Sequence, residues 1–307
     1  MTIMKKLIVL LLFTVISVPV SSIADDYTKP RVLIVIAHPD DDATFAATVY
    51  KITHDLGGTV DLALITNGEG GYKYSTLAED IYDLELTEEE IGRKNLPDIR
   101  KKELMEGGAI VGYNEYFFLD QKDHKYTNDI GEVLDSVWDT TYVKERLTGI
   151  MKKGNYDFVF ILRPSLTTHA HHSSAGILTL KTISEMPEDE RPIVLGGTLS
   201  EKDVPDTSAY TGLEAYPVTN VSSGAPEFEF DRTTPFGFND RLNYKIIVNW
   251  LIAEHKTQGT MQLLMDRGDI EKYIMFDIDD RSKVPEIDAL FDKLNEVTFK
   301  KKTYDTN

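Results

Sequence analysis

Two short clusters carry most of the side chains that could do chemistry. The first is "AHPDDD", residues 37–42, directly after an apolar run. The second is "THAHHSS", residues 168–174, which holds His169, His171 and His172 out of seven histidines in the chain. With no cysteine present, a metal here must be held by imidazole, carboxylate or backbone oxygen. His38, Asp41 and one later histidine make a two-histidine, one-carboxylate set with open positions. Zinc hydrolases use such a set, and so do non-haem iron oxygenases. The aspartates also have a plainer use, because Asp40, Asp41 and Asp42 suit the cap and first turn of a helix. That use leaves His38 and Pro39 at a strand end without a role. One shared site accounts better for two strand ends that both present metal-capable groups.

The elements that must position these clusters alternate. "RVLIVIAH" reads as a buried strand rich in β-branched residues, and "DATFAATVYKITHDLGG" as an amphipathic helix closed by Gly57 and Gly58. "TVDLALITNGEGG" is a second strand running into a glycine-rich loop. "IRKKELMEGGAIVGY" is a helix, "EYFFLD" a strand, "YVKERLTGIMKKG" a helix and "YDFVFILRP" a fourth strand. "SSAGILTLKTISEM" is a further helix and "RPIVLGG" a fifth strand. This order predicts an α/β, Rossmann-like fold: a mostly parallel sheet with helices on both faces. Ligands in such folds sit beyond the carboxyl ends of the strands, where both clusters fall. Residues 70–97 and 198–239 break the rhythm and read as long loops at that same end.

The ordered motifs resemble those of the GlcNAc-phosphatidylinositol de-N-acetylase family, also called PIG-L-like or LmbE-like. "AHPDDD" is similar to the family's Ala-His-Pro-Asp-Asp-Glu signature, "ITNGEGG" to its Thr-x-Gly-Glu loop and "IRKKELMEGGAIVGY" to its Arg-x-x-Glu-Leu helix. "THAHHSSAG" resembles its His-Pro-Asp-His segment and "EHKTQ", residues 254–258, its late His-x-Ser-Gln. The resemblance runs from about residue 31 to residue 260. It implies a zinc-dependent hydrolase that removes the N-acetyl group from an N-acetylated amino sugar or glycoconjugate, with Fe²⁺ as another possible metal. His38, Asp41 and His172 would bind the metal. Asp40 would be the general base on the metal-bound water, and His169 would stabilise the oxyanion or protonate the leaving amine. Glu69, Arg100 and Asp123 would face the substrate, and His255 would belong to the site or support it. Two positions depart from the family pattern. Asp42 stands in place of a glutamate, which shortens its reach. Ala170-His171 replaces Pro-Asp, which removes the aspartate that orients the catalytic histidine and makes His171 a rival ligand to His172.

Other side chains have simpler readings. His54 on the first helix and His124 in a loop read as structural or solvent-exposed. "NGEGG" lacks the Walker lysine, and Ser173 and Ser174 lack a Gly-x-Ser-x-Gly elbow. Aromatic residues in 72–82 and 228–238 could stack on sugar rings or simply pack their loops. A non-catalytic sugar-binding protein with a degenerate site is the alternative to an enzyme. An iron oxygenase ranks last, because the motifs sit in an alternating strand–helix pattern.

Lys and Arg total 33 against 51 Asp and Glu, giving a formal charge of −18. Such a surface repels phosphate backbones and argues against nucleic acid and anionic lipid. A small-molecule or glycan substrate and a possible oligomer remain the expected partners. Residues 1–24 read as a signal peptide, with Lys5 and Lys6 before an apolar stretch from Leu7 to Val20 and small residues at 22–24. The expectation is an exported chain, periplasmic or extracellular, with residues 25–307 as a single domain and no stable membrane insertion. Zero cysteines rule out disulfides and a Cys nucleophile.

Overall fold

The computed structural model describes residues 29–204 and 210–296. The expected signal peptide and the last residues of the chain lie outside the described residues. Seven strands form one sheet: β1 (Arg31–Ile36), β2 (Thr59–Thr66), β3 (Tyr116–Gln121), β4 (Phe158–Leu162), β5 (Ile193–Ser200), β6 (Glu227–Asp231) and β7 (Ile270–Met275), in the order β3-β2-β1-β4-β5-β7-β6. Strands β1 to β5 run parallel to one another, and β7 pairs antiparallel with both β5 and β6.

β1 lies at the centre because both of its faces are apolar. Val32, Ile34 and Ile36 pack on one side with Phe45, Leu104, Leu251 and Phe291. Leu33, Val35 and Ala37 pack on the other with Leu147, Ile150, Leu178 and Ile183. The period of two sends alternate side chains to opposite faces, and a strand covered on both sides therefore reads as one continuous apolar run. Each of these fully buried aliphatic side chains contributes roughly 1.5–3 kcal/mol. The helices on the first side are α1 (Ala46–Tyr50), α2 (Glu89–Val111), α5 (Lys245–Glu254) and α6 (Val284–Asn295). Those on the second are α3 (Thr140–Gly154) and α4 (Ala170–Glu185).

The chain moves outward from β1 through β2 to β3, then returns to β4 on the other side of β1. The strand order reverses between β1 and β4. A parallel sheet opens a crevice at such a reversal, beyond the carboxyl ends of its strands. Both chemical clusters start there, one after Ile36 and the other after Leu162.

The structure differs from the sequence expectation in three places. Helix α2 starts at Glu89, inside the expected 70–97 loop, and carries Pro97 in its interior. Proline removes one helical hydrogen bond, but the buried face of Gly92, Leu96, Arg100 and Glu103 holds the helix together. Helix α4 starts at Ala170 rather than Ser173, so His171 and His172 lie in its first turn. "EFEFD", expected within the 198–239 loop, is strand β6: Phe228 and Phe230 are buried while Glu227 and Glu229 are exposed. Those two aromatic residues belong to the core and do not stack on a ligand.

Candidate active site

A short helical turn at Pro39–Thr44 follows β1 and carries the three aspartates. Their side chains diverge. The Asp41 carboxylate turns back to accept from the backbone N–H of Ala37 (3.1 Å) and His38 (2.7 Å). It therefore closes its own turn, as the plain capping use anticipates. The same carboxylate lies 3.1 Å from His172 Nε2 and 3.6 Å from His38 Nδ1. His172 Nε2 and His38 Nδ1 are 3.1 Å apart. Donors around a tetrahedral zinc with bonds of about 2.0–2.1 Å lie about 3.3 Å from one another. His38, Asp41 and His172 meet that spacing, so the residues fit a metal.

Asp40 points elsewhere. Its Oδ1 accepts from Arg100 Nη2 at 3.0 Å, while Arg100 Nη1 donates to the Gly68 carbonyl at 2.8 Å. Arg100 is only 2% exposed, so its fork holds the Asp40 carboxylate in place rather than reaching a bulky ligand. Gly68 has φ 73, and a Cβ there would come 3.1 Å from Arg100 Nη1. The glycine-rich loop is thus shaped around the arginine, not around a phosphate. At Gly70 a Cβ would come 2.6 Å from Asp123 Oδ1, which lets Asp123 approach the loop backbone.

The second cluster is divided by helix geometry. His169 caps α4, and consecutive residues of the first turn point about 100° apart. His172 faces the cleft. His171 is fully buried, with Nδ1 3.0 Å from His38 Nε2 and Nε2 3.0 Å from His124 Nδ1. His124, read from sequence as structural or solvent-exposed, is half-buried and reaches on toward Glu132, 3.6 Å away. His169 donates its Nε2–H to the Lys125 carbonyl at 3.0 Å, and its buried Nδ1 has no hydrogen-bond partner among the described residues. Among the described residues no carboxylate hydrogen-bonds to it.

Charge follows this layout. Burial alone would lower the His38 pKa, but Asp123 and Asp41 outweigh it and hold the imidazole above its usual value. Burial alone would raise Asp41, but His172 and His38 keep its carboxyl well below the usual range. His169 is pushed down to about 4 by burial and then by His38. His171 is lowered further, by burial and then by His38 and His169.

A cleft of ≈ 1210 Å³ opens over these groups. His38, Asp40, Asp41, Arg100, Asp123, His169 and His172 line it. Glu69 is not among the lining residues and lies 3.8 Å from Arg93. Arg93 escaped the sequence reading, yet it lines the cleft, binds the carbonyls of Asp123 (3.0 Å) and His124 (2.6 Å) and stacks over Tyr72. Its spacing of seven before Arg100, two turns along one face of α2, is the signal that could have found it.

Three contacts from the last third of the chain fix the aspartate turn. His255 Nε2 lies 3.0 Å from Asp42 Oδ1, with both side chains buried. Arg232 Nη2 donates to the carbonyls of Ala43 (2.5 Å) and Thr44 (3.0 Å), and its Nε donates to Glu271 at 2.8 Å. Glu271 in turn accepts from the N–H groups of Ala47 and Thr48 at the start of α1. Asp42 is therefore directed away from the metal-capable set.

The sequence profile of the GlcNAc-PI de-N-acetylase family, PIG-L, matches residues 33–183. Residues 33–183, just under half of the chain, are similar to that family. The matched segment contains both clusters, while Arg232, His255 and Glu271 lie beyond it. The chain is also similar to two curated proteins. The Bacillus cereus protein called Probable N-acetyl-alpha-D-glucosaminyl L-malate deacetylase 2 is 25% identical over 164 residues, 53% of this chain and 66% of that protein. The Dictyostelium discoideum protein called Probable N-acetylglucosaminyl-phosphatidylinositol de-N-acetylase is 27% identical over 148 residues, 48% of this chain and 46% of that protein. The chain thus spans just under two thirds of the length of one relative and under half of the other.

Among solved structures, GalB, the 4-carboxy-2-hydroxymuconate hydratase of Pseudomonas putida KT2440, superposes with a TM-score of 0.52 at 13% identity, covering 82% of this chain and 97% of that one. A deacetylase triple mutant from the teicoplanin biosynthetic pathway gives 0.50 at 13% identity, covering 82% and 99%. These likenesses establish the fold. A hydratase and a deacetylase share it, so the reaction must be argued from the site.

Proposed function

We propose that this protein is a metal-dependent deacetylase that hydrolyses the N-acetyl group of an amino sugar or glycoconjugate. The observation that carries the reading is the convergence of His38, Asp41 and His172 on one point, with Asp40 beside them on the cleft wall. These three residues would hold the ion, with Zn²⁺ favoured and Fe²⁺ compatible with the same donors. When bound, the ion supplies Lewis acidity toward the amide carbonyl and a water that ionises near neutral pH.

The protein supplies the rest. Asp40 stays out of the ligand set because Arg100 holds it, and its free oxygen takes the proton of the attacking water. Arg100 is a positioning residue, acting through Asp40. His169 lines the cleft, is neutral at pH 7 and keeps a bare, buried Nδ1. It takes up a proton during the reaction and passes it to the departing amine. Asp123 stands beside His38 and His171 on the cleft wall. The cleft exceeds the roughly 300–1,000 Å³ of an ordinary small-molecule pocket, which suits a substrate larger than one sugar ring. Tyr72, Tyr74 and Tyr126 line it and offer ring faces to a glycan. We place the working protein outside the cytoplasm, after cleavage of residues 1–24. Mass spectrometry of the exported chain should find Asp25 at its start, and a retained leader would rule this out.

The deciding experiment is an acetate-release screen over N-acetylated hexosamines and their oligosaccharides, with added Zn²⁺ and with a chelator. Release should stop on chelation and return with metal. Undiminished release from the chelated protein would refute the reading.

A further inference from the structure

His38 presents its two ring nitrogens to two different sets of ligands. Nδ1 faces Asp41 and His172. Nε2 faces His171 Nδ1 at 3.0 Å and Asp123 Oδ1 at 3.8 Å, and His171 Nδ1 is itself 3.5 Å from Asp123 Oδ1. His38, His169 and His171 each place one ligand atom within 4.8 Å of the others. These spacings again bracket the edge of about 3.3 Å expected around a zinc-sized ion. All four residues are buried: His38 is 9%, His169 8%, His171 0% and Asp123 5% exposed.

The hydrogen bonds decide where the lone pairs point. A carbonyl only accepts, so the bond to Lys125 O places the hydrogen of His169 on Nε2 and leaves Nδ1 bare. That nitrogen is buried without a partner among the described residues. His171 Nε2 pairs with His124 Nδ1 at 3.0 Å, and its hydrogen is placed in that bond, while His124 Nε2 lies 3.6 Å from the Glu132 carboxylate. His171 Nδ1 then carries a lone pair, which accepts from His38 Nε2 at 3.0 Å. Two imidazole lone pairs and a carboxylate oxygen thus lie on the far side of His38, and an ion there would displace the His38 Nε2 hydrogen that now points at His171.

We propose that this chain holds a second divalent transition-metal site formed by His171 Nδ1, His169 Nδ1, Asp123 and His38 Nε2. His38 would bridge it to the first site, releasing its remaining ring proton to solvent when both nitrogens coordinate. Three imidazoles suit Zn²⁺, Cu²⁺ or Ni²⁺ and not Mg²⁺ or Ca²⁺. Position 171 makes the difference: an aspartate there would leave two histidines on that side. Occupation takes the lone pair of His169, so excess metal should inhibit. That consequence rests on the deacetylase reading, while the binding stoichiometry does not.

The test is a calorimetric titration of metal-free protein with Zn²⁺, with bound metal counted after desalting. Wild type should bind two equivalents per chain. His171→Leu should bind one, and His172→Ala should also retain one, held by the other set. Circular dichroism and a thermal melt show that each variant is folded, and Asp123→Asn, expected to weaken only the second equivalent by 10-fold or more, covers the case in which His171→Leu does not fold. A single equivalent in wild type, or two in folded His171→Leu, would overturn the proposal. Two equivalents without acetate release in any metal state would sink the deacetylase reading and leave the second site standing.

Discussion

Removing His255 should destabilise the protein through Asp42. The two side chains are 0% and 1% exposed and meet at 3.0 Å. At an effective dielectric constant of 20, a charge pair at that distance attracts by about 5.5 kcal/mol. Desolvation of both ions offsets much of this. The other Asp42 oxygen, Oδ2, is buried with no partner among the described residues, so the side-chain bonding of the carboxylate rests on His255. Burial already raises the Asp42 pKa despite His255, and Asp42 raises that of His255 above its usual value despite burial. Truncating one partner of such a pair costs about 3–5 kcal/mol, because the other charge is left buried alone. His255→Ala is therefore expected to lose that much near pH 6, below the raised pKa of His255. Asp42→Ala lets His255 become neutral, and the double variant should cost less than the sum of the singles by about 1–3 kcal/mol. Urea unfolding of all four proteins at one fixed zinc concentration measures the cycle. Additive costs within about 0.5 kcal/mol would refute the idea that the pair acts as a unit.

Asp40→Asn should leave metal content unchanged and lower turnover by about 10²–10⁴-fold, the range for losing a general base; full turnover in that variant would remove Asp40 from the mechanism. Glu271→Gln should cost about 3–5 kcal/mol in urea unfolding, because it leaves the buried Arg232 guanidinium without its counter-charge. A loss below about 1 kcal/mol would show that the carbonyls of Ala43 and Thr44 suffice for Arg232. Burial pushes the Asp279 carboxyl up to about 7, so the folded chain keeps a proton that the unfolded chain releases. Stability from this group is then lost as pH rises from about 4 to about 7. Asp279→Asn, which can still accept from the Val194 N–H, should raise the melting temperature at about pH 8 and change it little at about pH 4. Equal shifts at both pH values would contradict the assignment.

The parallel sheet and the meeting of His38 and Asp41 with the later histidine cluster were legible in the sequence for one reason, while the choice of His172 within that cluster came from the family resemblance. Both clusters follow short apolar runs, and parallel strands bring their carboxyl ends to one side. The divergence of Asp40 and Asp41 was also readable, since adjacent residues on a tight turn cannot share a direction. The contact between His124 and His171 was not, because 47 residues separate them and the loop from β3 has no periodic signal. Nor were Arg232 and Glu271. Their pairing depends on β7 running antiparallel beside β5, and a βαβ rhythm gives no warning of that reversal. His255 was noticed but not placed, because nothing near it in sequence names Asp42 as its partner.

The clasp made by Arg232, His255 and Glu271 also dictates the order in which the molecule can mature. The aspartate turn is synthesised early, yet the groups that hold it arrive some two hundred residues later. Contacts of such long sequence separation form late in folding, after the loops between them have closed. The aspartate turn is therefore fully held only when nearly the whole polypeptide is present. A fragment cut to residues 33–183 would hold every proposed metal ligand and none of the clasp.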